Sequence, residues 1–194
     1  NVVDTNLFYF KEPIANNEPF RFIHVSTMNY QKNPEGLLRA FKLFHASYPN
    51  TCLWMVGPYS EEVLMYAKSL SLDKGTVNFT GAVKYEQVAG LLQKSQALVL
   101  FSRYENLPCV ILEALCCGVP VVSTNAGGIA EVIDDSNGII IFDEQEEQLL
   151  EALKQVYNNY ILFDRIKIAE AASKQFSYKT VGNEIDKVYK ELIS

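Results

Sequence analysis

Residues 104–122 read YENLPCVILEALCCGVPVV. Val110, Ile111, Leu112, Ala114 and Leu115 surround most of a helix that opens near Leu107 or Pro108. Apolar residues around most of the circumference mark a buried helix. Gly118 can end it and Pro120 prevents its resumption, so residues 120–123 (PVVS) start a new strand at once. Residues 97–101 (ALVLF) form another such run just upstream. A buried helix held between two short apolar strands is the repeating unit of a parallel α/β sheet.

Working outward, four further runs have the same character: residues 21–26 (RFIHVS), 51–56 (TCLWMV), 76–80 (TVNFT) and 138–142 (GIIIF). Several are continuous rather than alternating, as expected of strands covered on both faces. Helical patterns lie between them at 34–48, 60–70, 85–94, 108–117 and 128–133, and three more follow at 144–157, 160–174 and 178–193. The expected fold is therefore α/β: a Rossmann-like parallel sheet of about six strands flanked by helices, with C-terminal surface helices. Residues 1–19 begin without Met and read as a linker from a longer chain; residues 20–194 read as one domain.

Composition narrows the function. The net charge of −6 offers no basic excess to neutralise a nucleic-acid backbone, so no nucleic-acid partner is expected. Cys52, Cys109, Cys116 and Cys117 show no CxxC spacing, and His24 and His45 have no ligand-spaced companions, so reduced thiols and no metal site are expected. No apolar run is long enough to span a bilayer.

In open α/β sheets ligands bind beyond the carboxyl ends of the strands. The loops at those ends read STMNYQKN, GPYSEE, GAVKYE, SRYENLP and TNAGGIAE. Unsatisfied amides from about Leu107 to Val110 attract an anion. Lys32, on a flexible stem in the first loop, could reach a diphosphate held there. Glu105 precedes the helix and can fold back toward the same ligand. On a straight helix the eight residues between Glu105 and Glu113 would span ~12 Å. Buried Glu113 needs hydrogen-bond donors, which sugar hydroxyls, a backbone amide or a basic side chain could supply. Gly127-Gly128 offers backbone amides to an anion or serves as a helix-entry turn. Gly57-Pro58 reads as a turn, and Gly81-Ala82-Val83 as a turn or a backbone edge for a nucleobase. Neither a P-loop nor a G-x-G-x-x-G fingerprint is present.

Together these segments resemble the C-terminal, donor-binding domain of GT-B fold glycosyltransferases of family 4. ENLPCVILEALCCGVPVV fits that family's E-x7-E signature and the A-x-x-x-G-x-P-V-V after it. NAGGIAEVI resembles its G-G-x-x-E-[VI] segment, FIHVSTMNYQKNPEGLLRAF its first strand, lysine and helix, and NVVDTNLF its interdomain joint. The resemblance implies one half of a GT-B fold, with the N-terminal acceptor domain absent from this chain. It implies a retaining transferase that needs no metal or other cofactor and takes its sugar from a UDP- or GDP-sugar.

By the same resemblance, Glu105 contacts the transferred sugar and Lys32 the diphosphate, as the catalytic pair. Glu113 receives the ribose hydroxyls. The amides of Leu107, Cys109 and Val110 meet the sugar and diphosphate, and Ala82 and Val83 flank the base. The family often carries an Arg five or six positions before the lysine. Thr27 and Ser26 stand there instead, with Arg103 as the candidate substitute. Expected context is polysaccharide or lipopolysaccharide synthesis in the cytoplasm, peripheral at the inner face of the membrane, on a membrane-bound glycolipid acceptor. A non-catalytic nucleotide-sugar-binding module and a nucleotide-sugar epimerase of related fold are the alternatives.

Overall fold

The computed structural model describes residues 1–12, 18–142 and 144–193; part of the expected linker, residues 13–17, lies outside the described residues. Strands and helices alternate as β1 (Phe20–Val25), α1 (Pro34–Ser47), β2 (Thr51–Val56), α2 (Glu61–Ser69), β3 (Val77–Gly81), α3 (Tyr85–Leu92), β4 (Ala97–Leu100), α4 (Cys109–Cys116), β5 (Val121–Thr124) and β6 (Gly138–Ile141). Three helices follow: α5 (Glu146–Asn158), α6 (Arg165–Phe176) and α7 (Tyr178–Ile193). The six strands are parallel and ordered β3-β2-β1-β4-β5-β6. This is the expected Rossmann-like α/β architecture.

The strands are apolar throughout because both faces are covered. Side chains alternate across a strand, so Phe22 joins Leu53, Phe41, Phe44 and Leu153 on one side, while Ile23 joins Leu98, Ile111, Leu112 and Leu115 on the other. Helices α1, α2 and α5 cover the first face; α3, α4 and α6 cover the second. Burying each large aliphatic side chain of α4 contributes about 1.5–3 kcal/mol relative to leaving it in water. Val3 and Phe8, within the expected linker, are fully buried in that second layer, and the Val3 amide donates to the Phe176 carbonyl at 2.8 Å.

Three helical expectations change in detail. The pattern at 128–133 is a short 3-10 turn, Ile129–Glu131, because Gly127 enters it with φ +58. The expected helix at 160–174 is split into a turn at Tyr160–Leu162 and α6, whose N-terminus is set by the Asp164 carboxylate accepting from the Lys167 amide. Helix α4 begins at Cys109, with Pro108 as N-cap, so within the expected row of amides from Leu107 to Val110, Leu107 lies before the helix and Pro108 has no N–H to give.

Strand order reverses between β1 and β4, which pair only at Phe22↔Ala97 and Ile23↔Leu98. Beyond that point the strands part, leaving the crevice where α/β sheets of this winding bind ligands.

Candidate functional site

A cavity of about 440 Å³ opens in this crevice. Val25, Ser26 and Thr27 at the end of β1, Val56, Gly57 and Pro58 at the end of β2, and Ala82 and Val83 after β3 form one wall. Leu100, Glu105, Pro108, Cys109 and Val110 form the other, with Lys32 between them. A larger hollow of about 930 Å³ lies at the opposite ends of the strands, around Arg21, Trp54 and Gln96. None of the sequence-predicted site residues lines it, so position rather than size identifies the site.

Lys32 closes the 3-10 turn Tyr30–Lys32, which Asn29 caps by accepting from the Lys32 amide. Its ammonium Nζ meets Glu105 Oε1 at 2.5 Å, across 73 residues of chain. The Glu105 side chain is only 6% exposed, so the pair is shielded from bulk solvent. Lys32, Glu105, Ala82, Val83, Cys109 and Val110 thus share one cavity. Leading α4, the Cys109 and Val110 amides precede the first intrahelical acceptor, and no side chain caps them.

Glu113 lies one turn deeper on α4, buried and behind the lining residues. The Tyr85 hydroxyl donates to its Oε1 at 2.7 Å. Burial raises the Glu113 pKa, and the Tyr85 hydrogen bond opposes that rise. Leu107 also stands outside the lining; its carbonyl accepts from the Asn1 side chain at 2.8 Å. Arg103 does not line the cavity either. Its guanidinium donates to the Tyr30 carbonyl, stacks over the Tyr30 ring with its carbon 4.1 Å from the centroid, and pairs with Glu144 at 3.6 Å. It therefore braces the turn that carries Lys32.

Gly127 and Gly128 support the signature loop from outside the cavity. A Cβ on Gly127 would come within 2.2 Å of the Asn106 carbonyl, and the Gly128 amide donates to that carbonyl at 2.7 Å. Gly57, read from sequence as a turn residue, is needed for a similar approach: a Cβ there would meet the Ser26 carbonyl at 2.0 Å.

The sequence offered no sign of His24 as a site neighbour. It is fully buried at the end of β1, with Nδ1 2.9 Å from the Val99 carbonyl and Nε2 2.7 Å from Ser26 Oγ. A carbonyl only accepts, so Nδ1 carries the proton and Nε2 accepts from Ser26. Ser26 Oγ in turn accepts from the Met28 amide at 2.9 Å. Burial pushes the His24 pKa down to about 4, against the Val99 hydrogen bond. The ring bridges β1 and β4 where their backbone ladder has stopped, and steadies the loop leading to Lys32.

The model of the family described as "Glycosyl transferases group 1" matches residues 6–175. The chain is 25% identical over 194 residues to a glycogen synthase of Mycobacterium tuberculosis, covering 97% of this chain and 47% of that protein. It is 29% identical over 178 residues to O-antigen chain mannosyltransferase B of Escherichia coli, covering 88% and 45%. The chain thus spans about half the length of these relatives. Among solved structures, HepE of Anabaena in complex with UDP-glucose superposes with a TM-score of 0.82 at 20% identity, covering 98% of this chain and 56% of that one. That likeness carries the fold, while the family match carries membership. With the matched region running through the strands, the cleft and the E-x7-E segment, this chain belongs to the glycosyl transferases group 1 family.

Proposed function

We propose that the chain is the donor-binding half of a retaining, metal-independent family 4 glycosyltransferase that takes its sugar from a nucleotide-diphosphate sugar. The observation that carries this reading is the single cavity uniting Lys32, Glu105 and the uncapped start of α4. Relatives named for glycogen and O-antigen synthesis, and a neighbour holding UDP-glucose, support it. Polysaccharide or lipopolysaccharide assembly in the cytoplasm, on a membrane-bound glycolipid held by a second domain, completes the proposal. Among the described residues no helix is long and apolar enough to cross a membrane.

The diphosphate sits at the Cys109 and Val110 amides, which cost no reorganisation as charge develops on the leaving group. Lys32 neutralises part of that charge. Glu105 accepts from hydroxyls of the transferred sugar, and Ala82 and Val83 flank the base. A carboxylate has about four lone-pair positions, so Glu113 can keep Tyr85 and still accept from ribose hydroxyls. The two acids do not act as a hydrolase pair, which would place an acid and a nucleophile or base around one bond.

Thermal unfolding of the chain with UDP-, GDP- and ADP-sugars tests this. A site-filling donor at ~100-fold excess over its dissociation constant stabilises by roughly 2.7 kcal/mol. No stabilisation by any of them at millimolar concentration would remove the reading.

A further inference from the structure

Ser26 stands on the cavity wall opposite Cys109 and Val110, and its hydroxyl is already engaged. Nδ1 of His24 is committed to the Val99 carbonyl, so Nε2 has a lone pair and takes the Ser26 proton at 2.7 Å. The Met28 amide fills one lone pair of Ser26 Oγ at 2.9 Å, and the Ser26 backbone amide is spent on the Val56 carbonyl at 3.0 Å. What the side chain leaves for a ligand is a single lone pair. Ser26 thus faces the cleft as an acceptor, which a phosphate oxygen, itself an acceptor, cannot use.

A diphosphate in the cleft brings these requirements into conflict. If Ser26 turned its proton to a phosphate oxygen, the buried Nε2 would be left without a partner, which is costly. A proton added at Nε2 removes the conflict. The imidazolium then donates from Nδ1 to Val99 and from Nε2 to Ser26, Met28 fills the other lone pair of Oγ, and the hydroxyl proton is free for the phosphate. Every donor and acceptor in the chain is then matched. One proton comes from solvent, Ser26 keeps its own, and no bond between heavy atoms changes.

Charge favours the same outcome once the ligand arrives. In the free protein burial holds the ring neutral, with its pKa at about 4. Among the described residues, Lys32 from the turn after β1 and Glu105 from the loop after β4 are the ionisable groups acting on the ring, and their effects oppose each other. A bound diphosphate adds negative charge in a shielded site, which stabilises an imidazolium. We propose that a diphosphate bound in this cleft is held by the Ser26 hydroxyl and draws one proton onto His24, a positioning residue that acts through Ser26. This deepens, and rests on, the donor-binding reading.

Calorimetric titration of the chain with UDP-glucose and GDP-mannose, repeated in buffers of different ionisation enthalpy, counts the protons exchanged on binding. The diphosphate of a nucleotide sugar stays fully ionised from neutral to weakly acidic pH, so the count belongs to the protein. In weakly acidic buffer the wild type should take up about half a proton or more per donor bound, and its affinity should rise as pH falls, by up to about tenfold per unit. Ser26→Ala, which removes the hydroxyl between ring and ligand, and His24→Asn, which removes the titrating nitrogen, should each lose most of that uptake. Glu113 titrates in all three proteins, so a difference among them belongs to this network.

Donor binding by the wild type without net uptake would overturn the inference while leaving the donor reading intact, and that count needs no variant to fold. Uptake that persists in folded Ser26→Ala or folded His24→Asn would do the same. Binding of neither donor would overturn both.

Discussion

The hydroxyl of Tyr85 donates to Oε1 of Glu113 at 2.7 Å, joining the first residue of α3 to the interior of α4. A buried carboxylate in an apolar helix thus has a neutral donor, rather than the backbone amide or basic side chain that core packing would suggest. Burial remains the larger influence and holds the Glu113 pKa above its ordinary value of 4.5. Its raised pKa means the folded state holds this proton more tightly than the unfolded chain. Glu113 therefore contributes stability that is fully present below the ordinary value and lost as pH rises through the raised one. Glu113→Gln, which can still accept from Tyr85, should abolish that loss and match or exceed wild-type stability at neutral pH. Tyr85→Phe should destabilise by about 1–3 kcal/mol and extend the pH-dependent loss upward. Urea unfolding of both variants across the weakly acidic range checks this; a Gln variant clearly weaker than wild type at neutral pH contradicts it.

His24 makes the opposite pH prediction. Its pKa is pushed from 6.5 to about 4 by complete burial, so the unfolded chain binds the proton more tightly. Stability from this group is fully present above pH 6.5 and is lost as pH falls toward 4. The total is on the order of 3 kcal/mol. An Asn side chain can donate to the Val99 carbonyl without titrating, so His24→Asn should differ most from wild type near neutrality and converge with it on acidification. Denaturant unfolding free energies compared from neutral to acidic pH measure the difference, because Glu113 titrates in both proteins. Parallel curves would contradict the assignment.

Gly127 should not tolerate a side chain. Its positive φ and the 2.2 Å approach to the Asn106 carbonyl mean that Gly127→Ala must strain the backbone or move the signature loop. A loss of about 1–3 kcal/mol is expected, with donor binding reduced further because Glu105 moves with that loop. Thermal unfolding and donor titration read the two effects. By contrast Gly90, which lies within α3 and has open space where a Cβ would project, should accept Ala with little loss or a gain.

The sheet was legible because its strands are buried on both faces. Runs such as TCLWMV at residues 51–56 have no polar alternation to confuse them, and each observed strand lies within a residue of its sequence reading. The cavity was partly legible: Lys32, Glu105, Cys109, Val110, Ala82 and Val83 follow from strand ends and a helix start. Long-range pairings were not. Tyr85 lies 28 residues from Glu113, and Lys32 lies 73 from Glu105. Only the placing of α3 and α4 on the same face of the sheet, and the meeting of two loops at the β1/β4 gap, brings them together. His24 was hidden because one polar residue in an apolar strand carries no mark of what it bridges. The turn at Ile129–Glu131 carries the apolar spacing of a helix, since three residues after a left-handed glycine satisfy the same pattern as a longer element.

Backbone amide NMR of the chain during titration with UDP-glucose and GDP-mannose tests the donor site most directly. Whichever donor binds should perturb Cys109, Val110, Ala82 and Val83, with Lys32 and Glu105 on the same binding curve. Perturbations confined to the hollow around Arg21, Trp54 and Gln96, or none with either donor, would contradict it.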